Sequence, residues 1–250
     1  MTRLLLHELE NQQRLFWRSR EAAFFTFLLP IIFLVLLGSV YGDSEIDGVS
    51  GASYLLAGML GYGIVATAFA GLAINLVIRR ESGVLKRVRG TPLPSPVYLS
   101  AVIASTLVVI AIQTVAQVLI GRYLIDARLP ASWGAFIVAL VIGTTAFAAL
   151  GLAMTAAVRS GEGSSAVITA VYLPMTFISG SFFSVDTMPG FLQAIADVLP
   201  LTYLLQLMRS TLIDGEGLGS SLTPIAVLLL WGAVGLAVAF RTFRWEPRAA

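Results

Sequence analysis

Six long windows of the chain contain no charged residue. Each is apolar over about 20 residues, the length that a helix needs to cross the hydrocarbon core of a bilayer. An ionised side chain at the centre of such a helix costs about 2.5–3.5 kcal/mol on the insertion scale, so spans are expected between the charges. The predicted spans are Ala22–Gly42, Tyr54–Val77, a segment within Val97–Gly121, a segment within Trp133–Val158, Gly163–Val185 and Thr223–Phe240. We therefore predict an all-α polytopic membrane protein with six transmembrane helices in one domain, residues 1–250.

A shorter apolar stretch before the last span follows a different pattern. Asp197 and Arg209 leave too few uncharged residues between them for a crossing. Upstream, apolar side chains recur at three- and four-residue spacing, which is typical of an amphipathic helix. Pro189 is suited to the start of this helix, and Pro200 interrupts it. We predict a broken helical hairpin over residues 185–213 that lies at, or dips into, one face of the membrane.

Residues 1–21 contain a second amphipathic segment. Leu5, Leu9 and Phe16 share one side with Trp17 beside them, and charged side chains cover the rest. This pattern predicts a helix in the membrane interface, with the tryptophan at headgroup level and arginines near acidic lipid. An ordinary flexible tail is the alternative interpretation.

Composition and charge distribution support the membrane assignment. Hydrophobic residues make up 57% of the 250 and charged residues 12%, whereas a soluble domain carries about 25% charged residues. Thirteen of the sixteen basic residues fall on one side of the predicted topology, which makes that side cytoplasmic. They are Arg3, Arg14, Arg18, Arg20, Arg79, Arg80, Lys86, Arg87, Arg89, Arg159, Arg241, Arg244 and Arg248. We predict a multi-pass protein of the bacterial cytoplasmic (inner) membrane, with both termini cytoplasmic and the 185–213 hairpin external.

The sequence lacks the residues that several kinds of catalytic, nucleotide-binding and metal sites require. There is no cysteine, and the single histidine, His7, lies outside every predicted span. The only lysine, Lys86, follows Leu85, so the chain has no glycine-rich phosphate loop of the Walker type. No ionisable residue sits centrally in a span, which argues against an ion-coupled carrier. We predict no catalytic residue and no metal site, and an intramembrane protease is disfavoured because a paired nucleophile and base are missing.

Three amides are the notable polar groups within the spans. Gln113 and Gln117 are spaced i, i+4 on one face of the third span, and Asn75 lies near the cytoplasmic end of the second. Buried amides in a bilayer usually bond to a neighbouring helix. A structural role is therefore the favoured interpretation, and a place on a substrate pathway is the alternative.

The loop over residues 79–96 combines charge, an apolar side and prolines. Val84, Leu85 and Val88 form one side of a predicted short helix, and charged residues form the other. Gly90 ends this helix, and three prolines within the next residues favour an extended return to the membrane. We predict a rigid element held between two spans; simple anchoring by basic residues is the alternative.

This loop resembles the cytoplasmic segment that follows the second span in type-2 ABC exporter permeases. Arg80, Glu81, Gly83, Leu85 and Pro92 match that family's pattern residue by residue. In the family, the segment is a coupling helix that sits in a groove of the ATPase subunit. The resemblance implies a coupling role for the matching residues and for the cations beside them, Lys86 and Arg87.

A second passage of the chain is similar to the region after the fifth span of the same family. The matching residues are Gly180, Phe182, Phe183, Pro189, Pro200, Thr202, Tyr203 and Arg209. The chain has Ser184 and Val185 where the family often has a proline after the aromatic pair, which puts the local turn in doubt. The resemblance is closest to the short drug-resistance (daunorubicin-type) permeases.

The resemblance implies a transport subunit rather than an enzyme. ATP and Mg²⁺ would bind to a separate phosphate-loop ATPase, with no cofactor held by this chain, and a second permease copy or a related chain would complete the pathway. The apolar spans favour a hydrophobic or amphipathic cargo such as a drug or lipid, moved outward, and nothing suggests nucleic acid as a partner. A polysaccharide or glycolipid exporter is the alternative, followed by an ATP-independent carrier or channel.

Overall fold

The computed structural model describes residues 2–158, 160–215 and 217–246. Two of the basic residues used to orient the chain, Arg159 and Arg248, lie outside this part. The described chain is helical apart from one small hairpin. Its elements are α1 (Thr2–Arg18), α2 (Arg20–Tyr41), β1 (Glu45–Ile46), β2 (Val49–Ser50), α3 (Gly51–Glu81), α4 (Val84–Arg89), α5 (Ser95–Leu124), α6 (Trp133–Met154), α7 (Gly161–Ile178), a 3₁₀ turn (Val185–Thr187), α8 (Gly190–Ala196), α9 (Pro200–Asp214) and α10 (Leu222–Thr242).

Five of the described helices are long and apolar enough to cross a membrane: α2, α3, α5, α6 and α10. They correspond to the first four predicted spans and the last one. The count rises to six if α8 and α9, which meet at a bend of 81°, form one broken span. The predicted fifth span contains α7, which has only 18 residues and begins with the polar run from Gly161 to Ser165. The chain is thus all-helical with five to six candidate spans, and the crossing by α7 stays a prediction.

Helix α3 lies at the centre of the bundle. Every residue from Gly51 to Ile64 is buried, and the helix packs against α2, α5, α6 and α9. Between Val65 and Gly71 its backbone widens into a π-helical segment before the α-helical pattern resumes at Leu72. Such insertions inside α-helices often accompany functional sites.

The predicted broken hairpin enters the protein interior. Pro189 immediately precedes α8, and Pro200 is the first residue of α9. Leu201, Leu204 and Leu205 of α9 are fully buried, and this helix packs between α3, α6 and α10. The break in the hairpin is present, and the placement of the hairpin at, or into, one membrane face stays a prediction.

Helix α1 packs along α5. The Gln13 amide donates to both the carbonyl oxygen and the hydroxyl of Ser105, at 2.9 Å each. Gln12 is buried, whereas Leu15 and Trp17 are about half exposed. The segment is thus a helix held against the bundle, and its position in the membrane interface stays a prediction.

The sequence-based predictions did not include the β1–β2 hairpin. Glu45 pairs with Ser50 and Ile46 with Val49, around a turn formed by Asp47 and Gly48 with φ of 51° and 75°. An Asp-Gly pair is the usual signal for this tight turn. The hairpin is too short to change the fold class, and it connects α2 directly to the buried start of α3.

Gly58 allows the chain to approach α3 closely, and its replacement is a test of the packing. A Cβ atom at Gly58 would lie 1.9 Å from the carbonyl oxygen of Ser181, which belongs to the backbone and cannot move aside alone. We expect Gly58→Ala to lower the free energy of unfolding by about 1–3 kcal/mol. Thermal unfolding of the purified protein in detergent measures the effect.

Gly134→Ala is the matched control, because no atom lies within 4 Å of a Cβ built there. This variant should keep the melting temperature of the parent protein or raise it slightly, since alanine favours helix over glycine. Equal melting temperatures for the two variants would show that the close approach at Gly58 is wrong.

Candidate functional site

The loop between α3 and α5 has the shape that its sequence predicts. Helix α3 ends at Glu81, and Gly83 adopts φ of +72°, a left-handed conformation that glycine takes without strain. The six-residue helix α4 follows and ends at Gly90. Pro94 is extended, with φ −62° and ψ 136°, and leads directly into α5.

Helix α4 turns its apolar side inward and its charges outward. Leu85 is fully buried, and Val84 and Val88 are half-buried against the bundle. Lys86 and Arg87 are exposed on the opposite side. The loop therefore presents a basic surface on a helix whose opposite side packs against the bundle. We call this surface, formed by Lys86, Arg87, Arg89 and the exposed Pro92, the α4 surface.

Arg80 is not part of the α4 surface. Its side chain is 2% exposed, and its Nη1 and Nη2 donate to the carbonyl oxygens of Thr155 and Val158 at 2.9 and 2.7 Å. Its Nε donates to the Glu81 carboxylate at 2.8 Å. The sequence placed Arg80 among the coupling residues; the structure shows that it fastens the loop to the connection between α6 and α7.

Glu81 occupies the boundary between the buried arginine and the surface. Its side chain is 23% exposed, and its Cβ lies next to the start of α7 at Gly161. The carboxylate balances the buried guanidinium, because a buried charge needs a partner and hydrogen bonds. The contacts with Thr155 and Val158 were not predictable from the sequence, because both acceptors are backbone atoms far along the chain.

The three amides predicted within the spans do not form one site. Gln113 and Gln117 are buried, at 2% and 1% exposure, and face Gly63 of α3. The Thr67 hydroxyl, in the π-helical segment, donates to Gln113 at 3.2 Å. Gln113 thus has the interhelical bond that the structural interpretation expects. The Gln113 amide nitrogen and the Gln117 amide oxygen are buried without a partner among the described residues, and Asn75 is exposed and lies elsewhere on α3.

Arg209 connects the hairpin to the start of α3. Its Nη2 donates to the carbonyl oxygen of Gly180 at 2.5 Å, and its guanidinium lies 3.8 Å from the centre of the Tyr54 ring. The Tyr54 hydroxyl donates to the same carbonyl at 3.2 Å. Tyr54 was not singled out in the sequence; an arginine within an otherwise apolar segment was the signal that a buried acceptor lay nearby.

The aromatic pair after α7 is divided between interior and surface. Phe182 is buried and contacts the rings of Phe33, Tyr62 and Phe177. Phe183 is half exposed. The remaining motif residues are structural in character: Tyr203 donates to the carbonyl oxygen of Asp197 at 2.7 Å, and the buried Thr202 lies in the first turn of α9.

Comparison with known protein families assigns this chain to one of them. A model of the ABC-2 type transporter family matches residues 4–213, which includes the α3–α5 loop and the hairpin. The chain belongs to the ABC-2 type transporter family. Within the described ranges, no group of three or more histidine, cysteine or acidic side chains is arranged to hold a metal ion.

Several relatives of this ABC-2 protein are named as permeases. Nodulation protein J of Rhizobium leguminosarum bv. viciae is 31% identical over 86% of this chain and 83% of its own length. The daunorubicin resistance ABC transporter permease protein DrrB1 of Streptomyces coeruleorubidus is 28% identical over 70% and 63%. A putative transport permease of Bacillus subtilis, YvfS, is 24% identical over 73% and 75%. The predicted resemblance to ABC exporter permeases is thus confirmed at the level of the family.

Arg80→Ala tests whether the buried guanidinium fastens the loop. The substitution leaves two carbonyl oxygens and a carboxylate without their donor, so we expect a loss of about 2–3 kcal/mol in unfolding free energy. Thermal unfolding in detergent measures it. Arg87→Ala removes an exposed arginine from the same loop and should change stability by less than about 0.5 kcal/mol. Equal losses for the two variants would contradict the anchoring role.

Proposed function

We propose that this chain is the permease subunit of an ATP-driven exporter, with ATP hydrolysed by a separate phosphate-loop ATPase. The observation that carries the proposal is the α4 surface: a basic helix held rigidly at the end of a central span, in a protein of the ABC-2 family. Membership in that family generally implies an ABC ATPase partner. The chain's own sequence contains no phosphate loop, which is consistent with ATP binding on another polypeptide.

The geometry supports a path for mechanical coupling. Closure of the ATPase pair around ATP would push on α4, whose Leu85 side chain is embedded in the core. Because Arg80 binds the connection between α6 and α7, the push would act on α3, α6 and α7 together. Interiors are close-packed and transmit such displacements.

The displacement would continue along α3 to the hairpin. Gly58 and Gly61 of α3 lie directly against Ser181 and Leu205. Because these contacts leave no room for even an added Cβ atom, α3 cannot shift here without displacing the chain between α7 and α10. Arg209 and Tyr54 bind the same carbonyl at the far end of α3. A shift at the cytoplasmic loop would thereby reach the hairpin, which we place on the external side from the distribution of basic residues.

The transport pathway would form between two permease copies, either identical or related. Most residues of α2 and of α10 lie on the outer surface of the helix bundle; in each helix only 22% of the residues in the apolar segment are buried. These surfaces are apolar, so the pathway suits a hydrophobic or amphipathic cargo such as a drug or lipid, moved outward. The relative named for daunorubicin resistance supports the drug class; glycolipid cargo is a variant of the same proposal.

Glu81→Ala tests coupling at the base of α4. Because this carboxylate also pairs with the buried Arg80 guanidinium, the melting temperature of the variant is measured beside transport, and the coupling role requires loss of efflux from a variant that remains folded. The substitution removes the carboxylate at the root of α4, and we expect normal membrane insertion with loss of ATP-driven efflux. The measurement is cargo efflux from cells or vesicles that contain the ATPase, at matched permease levels. Arg241→Ala, an exposed cytoplasmic arginine outside the loop, is the control and should transport normally. Normal efflux by the Glu81 variant would refute the coupling role.

A further inference from the structure

A cavity with a mixed polar and apolar lining lies between four helices near the cytoplasmic end of α3. Its volume is about 150 Å³, and it is bounded by α1, α2, α3 and α5. Water occupies ~30 Å³ per molecule in the liquid, so the cavity has room for a small polar group. The polar side chains that line it are Gln12, Thr26, Thr67, Asn75, Arg79, Ser105 and Thr106.

Arg79 is the only charged residue that lines this cavity. Its Nη1 donates to the Gln12 amide oxygen at 2.6 Å and to the Tyr98 hydroxyl at 3.2 Å. In the part of the chain that the structure describes, Arg79 forms no ion pair, and its Nε and Nη2 form no hydrogen bond. Glu8 is connected to it only indirectly, because its carboxylate accepts from the Gln12 amide nitrogen.

Asn75 provides a second free donor on the same face. It precedes Arg79 by four residues, so the two side chains are neighbours along α3, about 6 Å apart in rise. The amide of Asn75 makes no hydrogen bond to any described residue, and Asn75 is exposed. A half-buried arginine without a carboxylate and a free amide beside it form a site for an anion.

The cavity opens toward the surface of the bundle. Three of its lining residues, Ala22, Gly71 and Asn75, are exposed. On α2, one turn or more beyond the opening, Phe25 and Leu29 are exposed apolar side chains. A ligand whose anionic group enters the cavity from this side would place any apolar part that it has against these α2 side chains. A phospholipid has both parts.

We propose that the cavity binds the phosphate group of an anionic phospholipid from the cytoplasmic leaflet. Arg79 is the cation and the Asn75 amide a second donor, while the acyl chains lie outside along α2. Basic pockets between transmembrane helices on the cytoplasmic side are suited to lipid headgroups. Because Gln12 and Gln13 also bind α3 and α5, a bound lipid would help hold α1 against the bundle. Only the choice of leaflet rests on the orientation proposed above.

The test uses the full-length permease, purified in detergent and stripped of lipid. Phosphatidylglycerol that carries a photoactivatable group near its headgroup is added, and crosslinked peptides are identified by mass spectrometry. Crosslinks should concentrate in peptides from residues 12–26 and 67–79. Phosphatidylcholine with the same chains and label should give far fewer, because its headgroup carries no net charge.

Variants separate the specific site from general attraction to basic residues. Arg79→Gln should reduce crosslinking about tenfold, since a charge-assisted hydrogen bond is lost. Asn75→Leu, at an exposed position whose side chain makes no hydrogen bond to the described residues, should reduce it by a smaller factor and guards against misfolding of the arginine variant. Arg18→Gln removes an exposed arginine at the end of α1 and should keep most of the crosslinking.

Three outcomes would overturn the proposal. The first is crosslinking spread evenly over the cytoplasmic ends of the helices. The second is an equal yield from the parent protein and both cavity variants. The third is displacement of the lipid by inorganic phosphate alone, which would make free phosphate the ligand. All of these are read without ATP or the ATPase, so failure of the export proposal would leave the lipid result unchanged.

Discussion

The hydrogen bonds of the Arg80 guanidinium hold together the parts of the protein that the proposed mechanism must move as one. The charge lies in the interior, where it is tolerated only because two carbonyl oxygens and a carboxylate surround it. Those acceptors belong to α3 and to the connection between α6 and α7. Through Arg80, the end of α3 that carries the basic helix α4 is attached to the connection between α6 and α7. A displacement of α4 would therefore act on three helices rather than one.

The other end of α3 is fixed by an equivalent polar contact. Arg209 and Tyr54 share the Gly180 carbonyl, and the hairpin between α7 and α10 closes over the start of α3. Between the two arginine contacts, α3 is fully buried as far as Ile64, has exposed residues at Gly71, Asn75 and Ile78, and contains one π-helical segment. This irregular segment lies beside Gln113, whose amide oxygen accepts from Thr67.

Local sequence signals predicted the elements well and their contacts poorly. Charge-free windows located the long apolar helices, and Pro200 correctly marked the break in the hairpin, because both depend on properties of a single segment. The burial of Arg80 depends on carbonyl oxygens about 75 residues away, and a backbone acceptor leaves no mark in a sequence. Similarly, the π-helical segment from Val65 has the same apolar composition as the α-helix around it. The apolar stretch of α9 is too short to cross a membrane alone, and its sequence did not show that its leucines pack in the interior against Gly61.

The central claim is that α4 is the contact with an ATPase, and co-purification tests it most directly. The tagged permease is extracted from its native membrane in mild detergent, alongside a Lys86→Glu/Arg87→Glu variant that reverses two exposed charges without touching the core. The account predicts that a phosphate-loop ATPase is recovered in equal amount with the parent protein and is largely lost with the variant, at unchanged melting temperature. Recovery of the permease alone after crosslinking, or of the ATPase equally with both proteins, would contradict it.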